Sequence, residues 1–129
     1  MSEPFFEAVK ASVWRGDVLA LRDLNIKLLT RESVAILGAN GAGKSSLLKL
    51  MTGEVRAEAG YGSFCRLFGE ELWCREELRH RIGIVMPEDV ARFNAEEIAA
   101  DVVRSGFRGS YGRTGDMRFK ADEKEMAIR

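Results

Sequence analysis

Eight residues, Gly38-Ala39-Asn40-Gly41-Ala42-Gly43-Lys44-Ser45, fit the pattern GxxxxGK[ST] and constrain this chain more than any other part of it. The spacing has a physical reason. Backbone N–H groups can turn inward around a phosphate only where side chains do not block the approach, so glycines stand at the turning points. A helix starting at the end of the loop adds unpaired N–H groups and the positive end of its dipole. Lys44 brings a cation to the β and γ phosphates of a nucleotide, and the Ser45 hydroxyl can complete the shell of Mg2+, which prefers oxygen ligands and keeps several waters. The bland alternative is a glycine-rich turn with a solvated lysine. The flanks favour the phosphate loop. Val34-Ala35-Ile36-Leu37 is continuously apolar, as in a central strand covered on both faces, and Leu47, Leu48, Leu50 and Met51 repeat at helical spacing until Gly53 can stop the helix.

Around this centre the pattern predicts an α/β chain. Phe6 to Trp14 alternates roughly and reads as a strand, Arg15-Gly16-Asp17 as a turn, and Val18 to Leu29 as a second strand with Leu24, Ile26 and Leu28 at period two. Val55 to Gly62 reads as loop, Ser63 to Phe68 as a short extended segment, Glu70 to Arg81 as a helix, and Ile82 to Met86 as a short buried strand ended by Pro87. Asn94 stands as the cap of a helix with Ile98, Val102 and Val103 on its apolar stripe, closed by Ser105 and Gly106. A glycine- and arginine-rich loop follows to Phe119, and Asp122 stands as the cap of a last helix.

Composition removes several functions. The 129 residues carry 20 Lys plus Arg against 20 Asp plus Glu, so no global basic field exists to hold nucleic acid or anionic lipid, and any anion site must be local. No apolar run approaches the roughly 20 residues of a membrane-spanning helix, and the start MSEPFFEAVK lacks a signal-peptide core, so a cytoplasmic protein is expected. Cys65 and Cys74 lack CxxC spacing and histidine partners, which predicts reduced thiols, and the single histidine, His80, belongs to a surface helix.

No NKxD or DxxG sequence of a GTPase is present. A small P-loop kinase is an alternative, with Arg104, Arg108 and Arg113 as lid arginines. The segment GANGAGKSSLLKLMTGE resembles the Walker A region of ATP-binding cassette (ABC) ATPases, with Ala39 in the usual proline position and Ser46 replacing threonine. Upstream, ASVWRGDVLALRDLNIKLLTRESVAILG is similar to the opening of that family, and Trp14 falls where the family places its adenine-stacking aromatic, a role worth about 1–3 kcal/mol by analogy with base stacking. The alternative for Trp14 is packing at the sheet margin. Downstream, GSFCRLFGEELWCREELRHRIGIVMPED resembles the passage to the Q-loop, but Pro87 stands where the family has glutamine. Glu88 or Asp89 could replace it as an oxygen ligand, although solvated acids are the favoured reading. The run AADVVRSGFRGSYG resembles a subgroup that includes ATPases of molybdate and iron-complex uptake.

The resemblance implies the N-terminal portion of a P-loop NTPase of ABC type: residues 1–93 as part of the ATP-binding core, with a β-subdomain, a P-loop strand and helix, and residues 94–129 as the start of a helical subdomain. It implies ATP and Mg2+ as cofactors, with Trp14 and Gly38, Ala39, Asn40, Gly41, Ala42, Gly43, Lys44, Ser45 and Ser46 binding nucleotide and Ser45 the metal. It also implies a membrane-embedded transporter subunit as partner, a homodimer or complementing chain, and a location at the inner face of the membrane. Neither an LSGGQ-like signature nor an apolar run ending in Asp-Glu occurs in the 129 residues, so the chain is expected to bind ATP without turning it over efficiently. A non-hydrolysing nucleotide-binding module completed by another chain is the second alternative. The family fold further implies that strands flanking the P-loop strand come from sequence beyond Arg129.

Overall fold

Gly16, at φ 60°, and Asp17 reverse the chain between two twelve-residue strands of the computed structural model, β1 (Pro4–Arg15) and β2 (Val18–Leu29). The structure describes residues 3–58 and 60–127; Ala59 of the loop 55–62 and the last two residues of the predicted C-terminal helix lie outside them. Among the described residues one antiparallel sheet forms, in the order β2-β1-β3, with β3 (Phe64–Leu67) pairing Phe6–Val9. Both predicted hairpin strands and the short extended segment are therefore present.

Bulges explain why the alternation in β1 looks rough. Phe6 and Ala8 are buried at even positions, Ala11 and Val13 at odd ones, and the pairing slips by one residue between Ala8 and Ala11. An inserted residue inverts the phase, so all four side chains stay on one face. Lys10, the residue at that slip, has φ 46°, and its N–H donates to Asn25 Oδ1 at 3.0 Å. Asp23 marks the compensating slip in β2, with φ 45° and its N–H donating to Ser12 Oγ at 3.1 Å. Left-handed backbone at a non-glycine residue costs about 1–2 kcal/mol, and these two side-chain bonds replace ladder bonds that the bulges disrupt.

The core of this part joins Phe6, Ala8, Ala11, Val13, Leu28, Cys65 and Leu67 with Leu47 and Leu50 of helix α1 (Lys44–Met51). Burial, with a smaller contribution from the Glu71 carboxylate, pushes the Cys65 thiol up to about 11. Gly53 ends α1 as predicted: at φ 72° it lets its own N–H reach Leu50 O and that of Glu54 reach Lys49 O at 2.8 Å.

Two predicted strands are absent. Residues 34–37, expected as the P-loop strand at the centre of a sheet, form no strand; Val34 is half exposed and Leu37 is 90% exposed. No backbone ladder joins them to another segment among the described residues. A strand needs a neighbour to take its N–H and C=O groups, and apolar sequence does not substitute for one. Residues 82–86 likewise form no strand: Ile82 N–H bonds Leu78 O and so continues the preceding helix, and Val85 is 99% exposed.

The chain divides into two compact units, Met1–Arg75 and Glu76–Arg129. Helix α2 (Arg75–Arg81) begins later than the predicted Glu70, and Leu78 is its buried member. Pro87 opens a 3-10 helix, Pro87–Arg92, at the position where its missing N–H is not needed. Helix α3 spans Ala99–Ser105 and is preceded by Ile98 rather than capped by Asn94, whose Oδ1 instead accepts from Glu96 N–H in a local turn. A short 3-10 helix, Gly106–Arg108, follows within the predicted loop. Helix α4 (Ala121–Met126) starts one residue before Asp122; the Glu123 carboxylate reaches back to Lys120 N–H, so the reciprocal half of a cap decides the start.

Candidate nucleotide-binding site

The loop 38–43 leads directly into α1, and its glycines do different work. Gly43, at φ 89°, is the residue before the helix; a Cβ there would lie 2.7 Å from Ala20 O and 2.8 Å from Leu21 Cδ2. The loop therefore rests on β2 at a point where only glycine fits. Gly41, at φ 83°, faces open space, with nothing within 4 Å of a Cβ position. A backbone-lined concavity for an anion needs this combination of left-handed residues and unobstructed approach.

The first bond of α1 runs from Leu47 N–H to Gly43 O at 2.9 Å, so the N–H groups of Lys44, Ser45 and Ser46 have no acceptor within the helix. Ala42 N–H turns back to Ala39 O. Lys44 curls over the loop, its Nζ donating to Gly38 O and Ala39 O at 2.6 Å each. Ser45 is exposed and Ser46 is buried, so the two hydroxyls stand in different surroundings. Asn40, Gly41 and Ala42 are exposed at the loop's crest. Glycine conformation, orphan donors and a local cation thus converge, and the residues present fit the triphosphate of a nucleotide.

Trp14 sits near the other end of this contact. It pairs with Leu19 across the hairpin, next to Ala20 and Leu21, against which Gly43 lies. Trp14 is 51% exposed, and its Nε1–H donates to Glu58 Oε2 at 3.0 Å. Glu58 has no counterpart in the sequence reading: it lies 44 positions from Trp14, and no local pattern announces the contact. Two open hollows of this unit lie away from the loop, one of about 280 Å3 lined by Lys10, Asp23, Glu58 and Tyr61, another of about 430 Å3 lined by Cys65, Leu72 and Trp73. Residues 38–42 of the loop are all exposed.

In the second unit, Glu88 is exposed as expected, but Asp89 is buried, with Oδ1 3.5 Å from Arg92 Nε. The reading of Asp89 as a solvated acid is corrected: the 3-10 turn folds its side chain inward. The three arginines proposed for a kinase lid are each held by carboxylates. Arg104 and Arg113 bond Asp101, and Arg108 grips both oxygens of Glu123 at 2.7 and 2.9 Å. That bidentate pairing, with Lys120 N–H as a second donor, lowers the Glu123 carboxyl to about 2. His80 is exposed on α2 as predicted. Among the described residues no helix is long and apolar enough to cross a membrane.

Residues 21–127 match the family model described as ABC transporter, and the chain belongs to that family. It is 42% identical over 81 residues to the phosphonates import ATP-binding protein PhnC of Pseudomonas entomophila (strain L48), which covers 59% of this chain and 30% of that protein. A putative ABC transporter ATP-binding protein of Caldanaerobacter subterraneus subsp. tengcongensis is 38% identical over 97 residues, 70% of this chain and 40% of the relative. The probable ATP-binding protein YheS of Escherichia coli (strain K12) aligns at 26% identity over 99% of this chain and 21% of its own length. The chain thus spans well under half the length of these relatives. None of the three is described as serving molybdate or iron-complex uptake.

Proposed function

We propose that this chain binds Mg-ATP through residues 38–46 and belongs to the ATP-binding subunit of an ABC-type transport system. The observation that carries the reading is the convergence of Gly41, Gly43, the N–H groups of residues 44–46 and Lys44 Nζ at one open surface of a chain of that family. In this reading the loop from Gly38 through Asn40 and Ala42 wraps the phosphates, Lys44 leaves Gly38 O and Ala39 O to meet the β and γ oxygens, and Ser46 contributes its backbone N–H. Ser45 offers its hydroxyl to Mg2+, which would neutralise phosphate charge when bound. Trp14 supplies the stacking face for the base.

Residues 1–93 act as part of the nucleotide-binding core and 94–129 as the start of a helical subdomain. The partners are a membrane-embedded subunit and a second nucleotide-binding copy, at the cytoplasmic face of the membrane. A second reading, a nucleotide-binding module completed by strands of another chain, is favoured by the exposure of Val34 and Leu37. Calorimetric titration of Mg-ATP separates these proposals from a solvated loop. Lys44→Ala should remove most of the binding while leaving the circular dichroism unchanged, and wild-type affinity in the variant would refute the site. Turnover by the 129 residues should stay near background, since they hold no Asp-Glu strand end to orient a water.

A further inference from the structure

We infer that Glu58 is the positioning residue of the base platform, holding the Trp14 ring in the orientation a nucleotide base requires. The inference rests on the stacking role of Trp14 given above. A half-exposed indole has little packing to fix it, and its one donor is the Nε1–H. That donor meets Glu58 Oε2 at 3.0 Å.

The carboxylate is itself anchored. Pairing of β3 with β1 ends at Val9, and beyond it Glu58 N–H donates to Ser12 O at 2.8 Å, two residues before Trp14. The backbone of Glu58 is therefore tied to the strand whose aromatic side chain it grips. On its opposite edge the same strand end pairs Trp14 with Leu19, beside the Ala20 carbonyl that abuts Gly43. Glu58, Trp14, the start of β2 and the phosphate loop thus form one continuous series of contacts. A ring ordered before binding spares the entropy of ordering it on binding, which raises affinity for the base half of the ligand alone.

The test uses the 129-residue chain with Trp73→Phe, which leaves Trp14 as the only indole. Calorimetry measures Mg-ATP and, as a ligand without a base, Mg-tripolyphosphate. Trp14→Ala should weaken Mg-ATP about 10-fold, within the range of stacking on an aromatic. Glu58→Ala should weaken it by about 3-fold and lower the fluorescence anisotropy of Trp14, while Glu58→Gln, which keeps an acceptor oxygen, stays within about 2-fold of wild type. Tripolyphosphate affinity should be the same in all. In a Trp14→Phe background, which has no N–H to give, Glu58→Ala should add nothing. Glu58→Leu keeps side-chain bulk and replaces the alanine variant if that one does not fold. Unchanged Mg-ATP binding in Trp14→Ala would overturn the stacking reading and this inference with it. Weakened binding in Trp14→Ala beside wild-type binding in Glu58→Ala would overturn the inference alone. Equal losses for Mg-ATP and tripolyphosphate in Glu58→Ala would show a merely structural role and also overturn it.

Discussion

Residues 34–37 enter the phosphate loop and residues 44–51 leave it, and both runs are rich in large apolar side chains. The second run buries Leu47 and Leu50 against the sheet; the first leaves Leu37 almost wholly in solvent. A helix satisfies its backbone internally and needs only one covered stripe. A strand must borrow its hydrogen bonds from a neighbour and, when apolar on both faces, needs cover on each. The same loop therefore has one flank that completes itself and one without a pairing neighbour among the described residues.

Substitutions should separate the flanks, with the largest effect in the helix. Leu50→Ala should cost about 2–5 kcal/mol in urea unfolding, as for a fully buried leucine, whereas Leu37→Ala should stay within about 0.5 kcal/mol. Equal losses at the two positions would break the comparison and show that residues 34–37 are packed. A smaller contrast lies inside the loop. Gly43→Ala should cost about 2 kcal/mol or more, because left-handed backbone and the collision with Ala20 O add, while Gly41→Ala should cost about 1 kcal/mol from the backbone alone. The open position of Gly41 predicts in addition that its alanine variant loses Mg-ATP affinity out of proportion to that small stability change, which paired unfolding and calorimetry would check.

The smallest effect concerns how α1 and α4 are held. Helix α1 contains no carboxylate and is fastened by buried leucines, while α4 is fastened through Glu123 to Arg108 and Lys120 N–H. The folded Glu123 carboxyl is lowered to about 2 from an ordinary value of 4.5, so its contribution is complete above pH 4.5 and fades as the pH falls toward 2. Amide chemical shifts of residues 121–126 should accordingly move across that window and those of residues 44–51 should not. Glu123→Gln should abolish the window, and its persistence in that variant would assign it to another group.

How much was legible in the sequence follows the range of the interactions. The turn at Gly16-Asp17, both hairpin strands, α1 and its end at Gly53 come from side-chain period and from glycine conformations that neighbours in the chain determine. The slips at Lys10 and Asp23 left only a blurred alternation, because a bulge is defined by the partner strand. Asn94 and Asp122 were misleading as caps: Asn94 closed a tighter local turn, and Glu123 reached back to Lys120 from inside the helix.

The sequence by itself determined a phosphate loop between an apolar run and an amphipathic helix, and with it the family. Those properties depend on residue type and spacing over a dozen positions. Tertiary structure alone decided that Gly43 lies on the Ala20 carbonyl, that Glu58 holds Trp14, that Asp89 turns inward, and that residues 34–37 and 82–86 form no strand. Apart from the local turn at Asp89, each of these depends on a contact between distant positions or on the lack of a pairing neighbour among the described residues, and contacts of that range leave no periodic mark in the residues that make them.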